Sequence, residues 1–102
     1  MTDRELLELA AKAAGYREWE YCERGHEPSL YVDGHGFWAP LHDDGDALRL
    51  AVNLRIRIAG MGQRACAFTG LQEFWEKEES DLYAATRRAI VRAAAEIGRA
   101  MP

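Results

Sequence analysis

The apolar pattern of this chain switches repeatedly between a helical period and a two-residue period over short distances, and few folds accommodate that alternation. Thr2 followed by Glu5 has the form of a capping box, and Leu6, Leu7, Leu9, Ala10, Ala13 and Ala14 recur at helical spacing until Gly15. From Tyr16 to Cys22 the period falls to two, with Arg17, Trp19 and Tyr21 on one side and Glu18, Glu20 and Cys22 on the other. Gly25 and Pro28 break the chain, Leu30 to Asp33 resumes strand composition, and Gly34-His35-Gly36 predicts a turn into Phe37 and Trp38. Asp43 to Asp46 then precede Ala47, Leu48, Leu50, Ala51, Val52 and Leu54, which predicts a second, short helix with acids at its positive end. Arg55-Ile56-Arg57-Ile58 alternates, Gly60-Met61-Gly62 can turn, and Arg64 to Thr69 can return as a partner strand. Leu71, Phe74 and Trp75 have helical spacing inside an acidic, loop-like setting, so the segment from Leu71 to Glu79 reads as irregular. Ser80 is placed to cap a final helix carrying Leu82, Tyr83, Ala85, Ala89, Ile90, Ala93, Ala94 and Ile97 and ending near Gly98.

The predicted order is α-ββ(β)-α-ββ-α with short connections throughout. An antiparallel sheet needs cover on at least one face, and three amphipathic helices supply it. The expectation is an α+β protein: a single small layered domain over residues 1–102, with an antiparallel sheet of about four to five strands packed against three helices. The 102 residues are 48% hydrophobic and 29% charged, the balance of a chain that buries a core. Net charge is −4, so generic attraction to polyanions starts at a disadvantage, and direct nucleic-acid binding is not expected. Cys22 and Cys66 match no C-x-x-C pattern and predict two reduced, partly buried thiols in a cytoplasmic protein. The charged start at Met1-Thr2-Asp3-Arg4-Glu5 and the lack of any long apolar run predict neither secretion nor a membrane partner.

The stretch Trp38-Ala39-Pro40-Leu41-His42-Asp43-Asp44-Gly45-Asp46-Ala47-Leu48-Arg49-Leu50-Ala51-Val52 resembles an element of small phage- and prophage-encoded proteins. The helix from Ala84 to Gly98 resembles the one that closes those proteins, and the Ala-Gly-Tyr ending at Tyr16 resembles their first helix. More distantly, the order of helices and hairpins is similar to that of the phage α-β-α sandwich domain family. The resemblance implies a phage origin and a layered fold; it brings no reaction, cofactor or catalytic residue.

Candidate sites were weighed against plainer roles. His26, His35 and His42, with Asp33 or Asp43, lie too far apart in sequence for compact metal-ligand spacing, and no metal is expected. Asp43, Asp44 and Asp46 suit a helix cap better than a calcium loop. No nucleophile elbow, phosphate loop or dinucleotide fingerprint is present, so no catalytic residue or cofactor is assigned and the chain is read as a non-enzyme. The run Glu73-Phe74-Trp75-Glu76-Lys77-Glu78-Glu79 has the composition of an interaction epitope, two aromatics among acids. Arg88, Arg92 and Arg99 share a helix face and form a candidate anion site, with internal pairing to nearby acids as the plainer reading. With the phage origin that the resemblance implies, the small size, acidity and absence of catalytic motifs lead to the expectation of a protein in the cytoplasm of a bacterial host that binds a host protein complex, such as a CRISPR-Cas effector, with Asp43, Asp44, Asp46, Glu73, Phe74, Trp75, Glu76, Glu78 and Glu79 as partner-binding candidates. The alternatives are a protein that sequesters a nucleotide signal through the arginines, or a phage protein acting in DNA metabolism.

Overall fold

In the computed structural model, all residues are described except 25–26, 62–63, 71 and 78–80. Helix α1 (Asp3–Ala14) starts at a complete capping box: the Glu5 amide donates to the Thr2 hydroxyl, and the Glu5 carboxylate accepts from the Thr2 amide and hydroxyl. Those bonds hold the Glu5 carboxyl below its ordinary value, the backbone bond contributing most, so this part of the cap is present at neutral pH and fades as pH falls through the lowered value. The helix ends at Gly15, whose φ of 92° is open to glycine at no steric cost. Leu6, Leu7, Ala10 and Ala11 form its buried stripe.

Strands β1 (Trp19–Arg24), β2 (Glu27–Val32) and β3 (Gly36–Trp38) make an antiparallel meander in the order β1-β2-β3. Its register sets Trp19 opposite Val32, and Tyr21, Leu30 and Trp38 in one row, so these side chains share the face that α1 covers. Glu20, Tyr31 and Phe37 form a row on the opposite face. Helix α2 (Asp44–Leu54) is capped by Asp43 and buries Asp46, Ala47, Leu50 and Ala51. Strands β4 (Arg57–Met61), β5 (Arg64–Thr69) and β6 (Gln72–Lys77) form a second antiparallel meander. Helix α3 (Leu82–Ala100) closes the chain from an Asp81 cap, whose carboxylate accepts from the amides of Tyr83 and Ala84. Ser80, the predicted cap, lies outside the described residues.

Helix α3 buries Ala89, Ile90 and Val91, and then Ala93, Ala94 and Ala95, so more than one of its faces is enclosed. It packs against α1, α2, β5 and β6, while α1 packs against β2. The helix pair therefore joins the two sheets. Small side chains let the axes approach closely: a Cβ built on Gly98 would stand 1.9 Å from the carbonyl oxygen of Leu9. Leu7, Leu30, Val32 and Val91 are fully buried around this pair, each worth about 1.5–3 kcal/mol relative to exposure.

The α+β class with three helices is observed, but the strands form two sheets of three rather than one sheet of about four to five. The reason is local. Gly34 and Gly70, both at positive φ, precede a third strand in each meander, and no pairing crosses α2 from β3 to β4. The segment read as irregular supplies β6, because its strand pairing with β5 outweighs the helical spacing of Phe74 and Trp75. Helix α3 ends at Ala100, two residues beyond Gly98. The glycine sits inside the helix, where its missing side chain makes room for α1.

Replacing Gly98 by alanine separates two opposed effects. Intrinsic propensity favours alanine in a helix by about 1 kcal/mol, whereas the clash with the Leu9 backbone costs about 3 kcal/mol or more. Thermal denaturation of Gly98→Ala is expected to show a lowered Tm, by about 4–8 °C for each kcal/mol of net loss. An unchanged or raised Tm would remove the close approach.

Candidate functional site

The acids before α2 are mostly committed to the fold. Asp43 accepts from the Asp46 amide at 2.8 Å, and the buried Asp46 accepts from the Ala39 amide at 3.0 Å and from Arg49 at 2.8 Å. Asp44 pairs with Arg87 at 2.6 Å, and Arg87 also donates to the Leu41 carbonyl at 3.0 Å, tying α3 to the entry of α2. Of these contacts, the bond from the Asp46 amide to Asp43 satisfies an open amide of the helix start, as capping requires.

The run proposed as an epitope does not form one surface. Because β6 is a strand, its side chains alternate: Glu73, Trp75 and Lys77 stand on the face away from α3, while Phe74 and Glu76 lie toward it. Glu76 pairs with Arg92 and lies 3.9 Å from Arg88, and the Arg92 guanidinium sits 5.8 Å from the Phe74 ring centroid. Phe74 and Glu76 thus make packing and pairing contacts within the fold, and Glu78 and Glu79 lie outside the described residues.

The arginine face of α3 is likewise paired. Arg88 meets Asp3 at 2.9 Å, Arg92 meets Glu76 and donates to the Trp75 carbonyl at 2.9 Å, and Arg99 meets Glu96 at 3.4 Å. A groove of about 450 Å³ passes Arg87 and Arg88 but is also lined by Asp3, Glu76 and Asp81, which oppose an anion there. The described histidines, His35 and His42, join no group of side chains that could hold a metal ion. His35, on the turn before β3, lies 3.5 Å through Nδ1 from the Tyr16 hydroxyl, His42 is exposed before α2, and His26 is outside the described residues. Among the described residues no group of three or more His, Cys, Asp or Glu side chains could hold a metal ion, and no helix is long and apolar enough to cross a membrane.

Several apolar side chains of α2 and α3 lie on the surface. Leu48 and Val52 on α2 are 57% and 67% exposed, and Leu82 and Tyr83 at the start of α3 are 43% and 71% exposed. Leu48, Leu82 and Tyr83, with Thr86 and the Asp44–Arg87 pair, line a groove of about 450 Å³. Around α2, Ala47, Leu50, Ala51 and Leu54 make the inward stripe, and Leu48 and Val52 fall roughly 100–140° away from it. Apolar residues spread beyond one stripe are the sequence signal of this patch. A patch of this kind, bordered by charge, is a common mark of a docking surface.

The outer face of the second sheet has a different chemistry. Register places Arg57, Phe68 and Glu73 in one row, Ala59, Cys66 and Trp75 in the next, and Arg64 opposite Lys77 beyond them. Cys66 is fully buried although it belongs to this outward face, so neighbouring side chains cover it; burial pushes its thiol pKa up. No known protein family, curated protein or solved structure matches the chain.

The cover over Cys66 can be read by thiol labelling. In a Cys22→Ala background, Cys66 is expected to react slowly with an aromatic disulfide reagent at neutral pH in the folded protein and fast in denaturant. Trp75→Ala should speed the folded-state reaction by about tenfold or more. Equal rates with and without the indole would show that Trp75 does not shield the thiol.

Proposed function

We propose that this protein acts by binding a protein partner through the apolar groove between α2 and α3, without catalysis. The observation that carries this reading is the exposure of Leu48, Val52, Leu82 and Tyr83 along adjoining parts of two helices. Leaving such side chains in water is unfavourable, and a partner that covers them recovers burial free energy at a position framed by the Asp44–Arg87 pair. Tyr83 is suited to anchor the contact, since an exposed tyrosine offers a large apolar ring and a hydroxyl that can bond across an interface. With the resemblance of the sequence to phage and prophage proteins, the partner proposed is a complex of bacterial antiviral defence, a CRISPR-Cas effector being one example, which the bound protein blocks. The exposed carboxylates of Asp43 and Asp44 lie beside the groove and would steer it toward a basic surface on that partner.

The test is a tagged pull-down from nuclease-treated host lysate, run with the native chain and with Tyr83→Ala and Leu48→Ala. These exposed positions should leave folding stability within about 0.5 kcal/mol. A defence complex retained in stoichiometric amount, inhibited by the native chain, and bound about thirtyfold more weakly by Tyr83→Ala is the expected result. A partner held equally by the variants would displace the site, and the absence of any retained complex would overturn the binding role.

A further inference from the structure

We propose that the outer face of the second sheet, separate from the α2–α3 groove, is a binding site for single-stranded nucleic acid. The face presents Arg57, Arg64 and Lys77 against one acid, Glu73, in a chain whose net charge is −4. No ion pair among the described residues engages any of these three cations. Glu73 accepts a 2.9 Å hydrogen bond from the Trp75 indole. Arg64 and Lys77 stand directly opposite each other in the register, a like-charge cross-strand pair that destabilises a sheet unless an anion lies over it. On the helices Arg49, Arg87, Arg88, Arg92 and Arg99 each meet an acid. Arg17 and Arg55 are in no ion pair among the described residues either, but they lie outside the strands, whereas Arg57, Arg64 and Lys77 share one sheet face.

The aromatic content selects nucleic acid over other polyanions. Phe68 and Trp75 occupy diagonal positions on neighbouring strands, Trp75 is exposed, and the Arg57 guanidinium lies 5.8 Å from the Phe68 ring centroid. In Trp75's row Ala59 is small and exposed, while Cys66 lies covered beneath its neighbours. Adjacent aromatic and cationic side chains on an open sheet are the elements that stack bases and neutralise phosphates in single-strand recognition. Three strands about 4.8 Å apart offer room for roughly two to three nucleotides. A duplex hides its base faces and has no comparable use for the rings.

The experiment is fluorescence polarisation of a labelled thymidine dodecamer titrated with the full chain at several salt concentrations. Binding is expected with a slope of about −2 in log affinity against log salt, from three cations at roughly 0.7 per phosphate on a single strand. Arg57→Glu combined with Arg64→Glu should weaken binding by about tenfold or more, and Trp75→Leu by about fivefold or more. Arg99→Glu, on an exposed residue of α3 remote in sequence from this face, should leave affinity unchanged, with circular dichroism confirming that each variant folds. The proposal fails if the oligonucleotide does not bind at low salt. It fails equally if polyglutamate competes as well as unlabelled oligonucleotide, or if Arg99→Glu weakens binding as much as the sheet variants. Tyr83→Ala is expected to bind the oligonucleotide as the native chain does, and a matching loss in that variant would assign the binding to the groove instead.

Discussion

The close approach of α1 and α3 is the constraint on which the rest of this structure depends. Alanines on both helices and Gly98 at the crossing allow backbone to meet backbone, with the Leu9 carbonyl occupying the space a side chain would need. Dispersion falls off steeply with distance, so this tight contact contributes more than the modest apolar area of alanine suggests. Larger residues then close the ends: Leu6 and Leu7 from α1, Ile90 and Val91 from α3, and Leu30 and Trp38 from the first sheet.

With the helix pair in the middle, each meander needs cover on one face only. The first sheet turns Trp19, Tyr21, Leu30, Val32 and Trp38 toward α1; the second turns Ala65, Ala67 and Phe74 toward α3. Alternation along each strand places the remaining residues outward, and the two outward faces differ in charge. Glu20, Tyr31 and Phe37 lie on one, while Arg57, Arg64, Lys77 and Trp75 lie on the other. Helix α2 lies against α3 without covering its own Leu48 and Val52, which adds an apolar surface to the two polar ones. A small protein thus carries three chemically distinct surfaces, which agrees better with recognition of partners than with a single enclosed reaction site.

Much of this architecture was legible in the sequence, because period and capping are local properties. Thr2 with Glu5, Asp43 before Ala47, and the alternation from Arg55 to Ile58 each marked an element that exists, although β4 begins at Arg57 and Arg55 ends α2. What escaped depends on neighbours that sequence does not bring together. Gly98 carries the same signal whether it ends a helix or admits another helix, and only the position of Leu9 distinguishes the two. Phe74 and Trp75 satisfy a helical spacing and a strand alternation alike, and pairing with Ala67 and Cys66 decided between them. The acidic run around them read as one epitope until strand geometry sent Glu76 to Arg92 and left Glu73 beside the indole. The exposure of Leu48 and Tyr83 was not legible for the same reason: an apolar side chain records its preference for burial without recording whether this chain supplies the cover.

Native-state hydrogen exchange under increasing denaturant tests most directly whether the helix pair organises the fold. If it does, the amides of Ala10 and Ala11 in α1 and of Ala93 and Ala94 in α3 should exchange only through global unfolding. They should then share one free energy and one denaturant dependence, while edge-strand amides of β4 and β6 open at lower cost. Exchange from α1 at a lower free energy than from α3 would show that the helices open separately, and would contradict a core founded on their contact.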